Sequence, residues 1–357
     1  MLGSVRSSSP RDVSERMGRS IAGLGMSSAS DLASDRGRGA ALSIRLSAAI
    51  VTATVDEPRV LTVRIGREPV EALPSGPLEV EHRTLEVGLR AWVERQTSQK
   101  LGYVEQLYTF GDRDRTETGE TRPSRALTVA YLALVRDARP SGAAEALWQN
   151  WYRFFPWEDW RSGRPAALAP VEERLRLWAG QAATEAERRL RTERVGLAFA
   201  TSWNEELVLE RYELLYEAGL IQERRRDLGR PLPPEDGPTF GVPMAADHRR
   251  ILATAIGRLR GKIKYRPVVF ELMPPVFTLL QLQRTVEALS GVRLHKQNFR
   301  RLVEQQGLVE ETGGVSATTG GRPARLVRFR REVLLERPAP GLRLRAGRRS
   351  MTSAAIS

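Results

Sequence analysis

The residues best placed to do chemistry lie between His82 and Arg115, in HRTLEVGLRAWVERQTSQKLGYVEQLYTFGDRDR. A helix carrying Glu86, Arg90, Glu94 and Arg95 presents carboxylates suited to a divalent cation and guanidiniums suited to phosphate. Glu86 and Glu94 stand eight residues apart, too far along a helix to serve one ion. The strand that follows brings Glu105, and the loop after it brings Asp112, Arg113, Asp114 and Arg115. Arg113 and Arg115 suit a diphosphate through charge-assisted bonds; the plainer alternative is a solvated charge cluster.

A second chemistry sits near the C-terminus, in HKQNFRRLVEQQGL. Phe299, Leu302 and Val303 share one helical face, which leaves Lys296, Gln297, Asn298, Arg300 and Arg301 for solvent or a partner. Arg pairs bidentately with guanine in the major groove, and Gln or Asn does so with adenine. A hairpin follows that carries Arg322, Arg325 and Arg328, suited to phosphate or minor-groove contact. From Arg293 to Arg331 there are nine Lys or Arg against three Glu, so the surface is locally basic. The competing view is an ordinary solvated helix and hairpin.

These residues need elements to hold them. LSAAIVTATV and RVLTVRI, parted by DEP, predict two strands. Thr84 caps a predicted helix with Leu85, Leu89, Trp92 and Val93 on one side. YVEQLYTF and ALTVAYLALV predict two more strands around the charged loop. Residues 138–242 have the character of an insertion, opening with LWQNWYRFFPWEDW. That stretch holds seven of the chain's 23 aromatic residues, a seam to the host domain or a surface for stacking adenine or sealing a dimer. Two helical stretches follow, 171–200 and 204–226, the second with Leu207, Tyr212, Leu215 and Tyr216 on one side. Beyond the linker RPLPPEDGPTFGVP, Asp247 is the expected N-cap of a helix with Ile251, Ala255, Leu259 and Ile263 in a stripe. YRPVVFELMPP serves as the expected hinge to a last unit of two helices and a two-stranded wing, the outline of a winged helix.

Composition bounds the partners. The chain of 357 residues is long enough for two domains and has a net charge of +13, mostly from arginine, which favours a polyanion. It contains no cysteine, which excludes disulfides and thiolate metal sites and suits a cytoplasmic location. No apolar run spans a membrane. Residues 1–45 are rich in Ser, Gly and Arg, an expected disordered leader, or the product of a start codon placed upstream of Met17 or Met26.

LPSGPLEVEHRTLEVGLRAWVERQTS resembles a Nudix box, which runs Gly, five residues, Glu, seven residues, then Arg-Glu-aliphatic-x-Glu-Glu-x-Gly-aliphatic. Counted from Gly76, His82 stands at the first Glu position, Arg90 matches, and Ala91, Trp92 and Arg95 replace Glu, aliphatic and Glu. Glu94 is the one surviving box glutamate, and Thr97 and Ser98 stand at the last Gly and aliphatic positions. With the segments 46–137 and 243–336, the chain looks like the Nudix-related transcriptional regulators of NAD metabolism.

That resemblance implies an α+β fold: a Nudix-like α/β/α sandwich with a helical insertion, followed by a winged helix-turn-helix domain. The expected boundaries are a leader at 1–45, a sensor at 46–266 with its insertion at 138–242, a DNA-binding domain at 267–337, and a disordered basic tail at 338–357. It implies a ligand-responsive transcriptional regulator, a homodimer that binds a double-stranded DNA operator and senses ADP-ribose or a related nucleotide. Arg90, Glu105, Asp112, Arg113 and Arg115 are the expected effector contacts. No catalytic residue, metal or cofactor is expected; magnesium enters only if the alternative, hydrolysis of a nucleoside diphosphate derivative, holds.

Overall fold

A computed structural model describes residues 42–66, 70–111, 125–136, 146–199, 203–230, 240–316, 323–337 and 340–342. The expected leader up to Ala41, the tail from residue 343, Asp112, Arg113, Asp114, Arg115 and Arg322 lie outside the described residues.

In chain order the first part supplies β1 (Leu42–Ala53), β2 (Pro58–Ile65), β3 (Val70–Ala72), β4 (Ser75–Pro77), α1 (Leu85–Thr97), β5 (Tyr103–Phe110), β6 (Arg125–Leu134) and β7 (Ala146–Asn150). Helices α2 (Leu168–Gly180), α3 (Glu185–Ala198), α4 (Val208–Glu217), α5 (Gln222–Asp227) and α6 (His248–Tyr265) follow. The last unit comprises β8 (Phe277–Thr278), α7 (Leu279–Ser290), α8 (Lys296–Gln305), β9 (Val309–Ser316), β10 (Ala324–Phe329) and the short α9 (Val333–Glu336).

The large sheet is mixed. β1 runs parallel to β6 from Leu42↔Arg125 to Val51↔Leu134, and antiparallel to β2 at one end and β4 at the other. Because strand side chains alternate, Leu46, Ala48 and Ile50 face Leu89 and Val93 of α1, while Ala49 and Val51 join the core that contains α6. The result is the expected α/β/α sandwich. Thr84 caps α1 by accepting the Val87 amide at 3.2 Å, and the stripe Ile251, Ala255, Leu259 and Ile263 is buried, as the periodicity predicts.

Four expectations need correction. The insertion does not start at 138: β7 pairs with β2 from Arg59↔Asn150 to Val63↔Ala146, so the aromatic run begins as a strand of the sheet. The helical stretch 171–200 is two helices, because Thr184 turns its hydroxyl onto the Glu187 amide at 3.1 Å and starts α3 afresh. Asp247 stands at the N-cap of α6, yet its side chain makes no cap bond; a carboxylate oxygen instead accepts from Arg250 at 3.3 Å. The wing is also wider than two strands, since β8 pairs with β10.

The expected hinge is not a loose one. Val268, Val269, Phe270, Leu272 and Met273 are buried, and the Phe270 ring stacks on Phe329 of the wing at 4.2 Å. The aromatic run is the seam: Trp151, Phe154, Phe155 and Trp157 are fully buried, which removes them as a platform for adenine. Among the described residues, no helix is long and apolar enough to cross a membrane.

His248 ties α6 to the sheet. Its Nδ1 accepts the Leu73 amide at 3.0 Å, so the neutral ring is the one that fits. Burial, helped by the positive charges of Arg45 and Arg226, pushes its pKa from 6.5 down to about 3. The unfolded chain binds a proton below its ordinary pKa that the folded chain refuses, so stability falls as pH drops from 6.5 towards about 3. The contribution is at most about 1.4 kcal/mol per pH unit. His248→Gln keeps an acceptor for Leu73 and should flatten the fall of the urea midpoint on acidification across that window.

Candidate functional site

Two neighbouring elements set the basic helix α8. Thr278 and Gln281 form a reciprocal capping box at the start of α7, and Gly291 ends that helix at φ 76°. The buried Glu287 then shapes the turn into α8, accepting from the Leu294 amide at 3.0 Å and from Arg293 at 2.8 Å. Gln283 donates to the Leu294 carbonyl at 3.0 Å. With the turn fixed, Phe299 and Val303 bury against α7, and Lys296, Gln297, Asn298, Arg300 and Arg301 are all exposed, as the sequence predicts. Among the described residues no carboxylate pairs with Lys296, Arg300 or Arg301. They form a cationic face at the helix start, where a major groove would be read.

The wing differs from its expectation. Arg325 pairs with Glu311 and Arg328 with Glu310, each at 2.5 Å across the hairpin. Its described arginines already have carboxylate partners.

On the Nudix-like side, the structure gives several box positions a structural task. His82 accepts the Glu79 amide through Nδ1 at 3.2 Å and packs over Gly88, where a Cβ would come within 2.7 Å of that same nitrogen. Trp92 lies so close to Gly76 that a Cβ there would meet its ring at 2.1 Å, and its Nε1 donates to the Pro77 carbonyl at 2.8 Å. The Arg95 guanidinium stacks on Trp92 at 4.4 Å, so a cation and an indole occupy the face where further carboxylates would stand. Glu94 is exposed, and among the described residues no cluster of three or more metal-ligating side chains exists.

Arg90 does not point at Glu94. It donates to Glu86 at 2.8 Å and 2.9 Å, and to the carbonyls of Leu101 and Gly102 at 2.5 Å and 3.2 Å, clamping α1 to the start of β5. Glu105 faces the other way, towards α6, where it accepts from Tyr103 at 2.7 Å and from Lys262, with Arg258 at 3.5 Å. Burial works to raise its pKa, but Lys262, Tyr103 and Arg258 together hold the carboxyl below its ordinary value. Arg90 and Glu105 therefore lie on opposite faces of the sheet and do not form one site. At the end of α1 an open cleft of about 460 Å³ is lined by Gln99, Lys100 and Arg136, with Glu271 from the start of the winged unit, ahead of β8. Sequence reasoning missed it because its lining comes from three separate segments, 98–102, 134–136 and Glu271.

It also missed a buried ionic group: Glu158, Arg211 and Arg260. The available signals were a lone Glu inside FFPWEDW and an Arg next to the apolar stripe of α6.

Comparison with known proteins agrees with the basic helix. Residues 269–329 match the NrtR DNA-binding winged helix domain. The chain is similar to the ADPR responsive transcriptional repressor NtrR of Acinetobacter baylyi, 44% identical over 86 residues, which is 24% of this chain and 34% of that protein. The match thus spans about a third of the curated relative's length. Among solved structures, NrtR of Shewanella oneidensis complexed with a 27mer DNA is 21% identical, with 81% of this chain and 94% of that one covered at a TM-score of 0.48. A MutT/nudix family protein from Enterococcus faecalis is 15% identical, with 91% and 100% covered at a TM-score of 0.48. The match at residues 269–329 is where the likeness to the Nudix-related transcriptional regulators, read from the sequence, is borne out.

Proposed function

We propose that the chain is a ligand-responsive DNA-binding transcriptional regulator whose catalytically degenerate Nudix-like domain senses ADP-ribose or a related NAD metabolite. The observation that carries this is the exposed face of Lys296, Arg300 and Arg301 on α8, which no described carboxylate neutralises, inside a segment that matches a DNA-binding domain. The similarity to a repressor named as responsive to ADPR supports the effector class. The chain works in this proposal as a cytoplasmic homodimer, so that two copies of α8 meet two half-sites of an operator. Effector and DNA favour different arrangements of the two winged helices, and each weakens the other's binding by the same factor, typically about 1–3 kcal/mol of coupling.

Hydrolysis fits poorly with the residues present. Magnesium takes carboxylate oxygens, and the face of α1 offers Glu94 beside Ala91 and Arg95. The test is a calorimetric titration of ADP-ribose into the protein with magnesium present, followed by analysis of the nucleotide. Saturable heat with intact ADP-ribose, unchanged in Glu94→Gln, is the expected result. Release of AMP that Glu94→Gln abolishes would make the protein an enzyme and overturn the sensor reading.

A further inference from the structure

The aromatic run ends in a buried ionic knot. Glu158 accepts from Arg211 of α4 at 2.6 Å and 3.2 Å and from Arg260 of α6 at 2.6 Å. Both guanidinium side chains are 0% exposed, and the carboxylate is 1% exposed. One carboxylate cannot use all the donors of two guanidiniums, so the remainder must find other acceptors. Arg211 finds the carbonyls of Ala198 and Asn204, and Arg260 finds that of Glu205.

The remaining bonds cross to the winged unit. Arg260 Nε donates to the Leu289 carbonyl at 2.9 Å, and the Tyr152 hydroxyl donates to that of Ala288 at 2.7 Å while accepting from Arg260 at 3.3 Å. Ala288 and Leu289 belong to the last turn of α7, whose carbonyls lack partners within the helix and whose dipole favours a cation. Next to them Gly291 is pressed into the knot: a Cβ there would lie 2.4 Å from the Glu158 carbonyl oxygen and 2.9 Å from the Tyr152 hydroxyl. The Gly291 carbonyl in turn accepts the Trp160 amide at 2.7 Å. No other set of polar contacts in the described residues joins the aromatic run, α4, α6 and the end of α7 in this way.

We propose that this knot is the latch that fixes the winged helix to the rest of the chain, and that Tyr152 and Gly291 are positioning residues for DNA binding through α8. The DNA consequence rests on the function proposed above; the docking itself needs neither DNA nor effector. It also gives the inserted segment a task, since that segment supplies the carboxylate and one of the two guanidiniums.

The absence of native cysteine makes the test direct, because Arg189→Cys with Glu304→Cys places the only two thiols on exposed positions of α3 and α8. Spin labels there report the distance between the insertion and the winged unit by pulsed dipolar spectroscopy on the full chain. Tyr152→Phe removes the hydroxyl and keeps the ring, and Gly291→Ala adds a methyl at a positive φ with no room for it. The expected result is one narrow distance in the parent, a broadened distribution in Tyr152→Phe and a shifted one in Gly291→Ala. Affinity for duplexes selected on the parent protein should fall in Tyr152→Phe in proportion to the docked population lost, about twofold where half of the distribution leaves the parent distance.

An unchanged distribution in folded Tyr152→Phe would overturn the latch, and that variant decides the matter if Gly291→Ala does not fold. A broadened distribution with unchanged DNA affinity would overturn the positioning role. If the parent bound no DNA at all, the regulator reading would fail while the distances still decided the latch.

Discussion

Glu158→Gln is expected to destabilise the folded protein by about 3–5 kcal/mol, the range found when one partner of a buried ion pair is removed. Both Arg211 and Arg260 are fully buried and share this one carboxylate, so the neutral amide leaves two guanidiniums without a counter-charge. Neither can turn to water, because their other donors are already held by backbone carbonyls. The measurement is the urea midpoint, which should drop by about 1–2 M. Glu217→Gln is the control: Glu217 pairs with Arg194 at 2.7 Å at the surface, where such a pair contributes about 0–1 kcal/mol. Equal losses in the two variants would refute the distinction.

The other large effect belongs to DNA. Arg300→Ala and Arg301→Ala should each weaken binding to a selected duplex by about 1–3 kcal/mol while the fold survives, since both side chains are exposed and unpaired among the described residues. Arg325→Ala should cost less, because its guanidinium is shared with Glu311 before DNA arrives. Fluorescence anisotropy of a labelled duplex measures all three. Unchanged affinity in both Arg300→Ala and Arg301→Ala would remove α8 as the reading helix.

What the sequence disclosed follows from range. Elements with a strong local signal were legible: the apolar and β-branched run of β1, the capped helix α1, the stripe of α6, and the split between Phe299 or Val303 and the cations of α8. So was the degenerate box, because residue type at fixed spacing states what is missing. The remainder depends on contacts between distant segments. That ALWQN joins β2 is a pairing across about 85 residues, which no local pattern announces. The resemblance puts Arg90 and Glu105 in one site, yet in this chain the sheet stands between them. The network around Glu158 was illegible because four separate elements meet there, with residues that would each pass for surface charge.

The crossed ion pairs of the wing bear on how the proposed regulator would hold DNA. To a phosphate approaching β9 and β10, the guanidiniums of Arg325 and Arg328 are already taken, so contact there is an exchange of one anion for another. What such an exchange sets free is a carboxylate that remains part of the protein. Each phosphate neutralised, at the wing or on α8, sends a condensed cation into the bulk and makes affinity fall as salt rises, but at the wing the freed carboxylate stays beside the DNA and offsets part of that gain. The two halves of the winged helix would thus share a dependence on ionic strength, and the wing alone would add competition with Glu310 and Glu311.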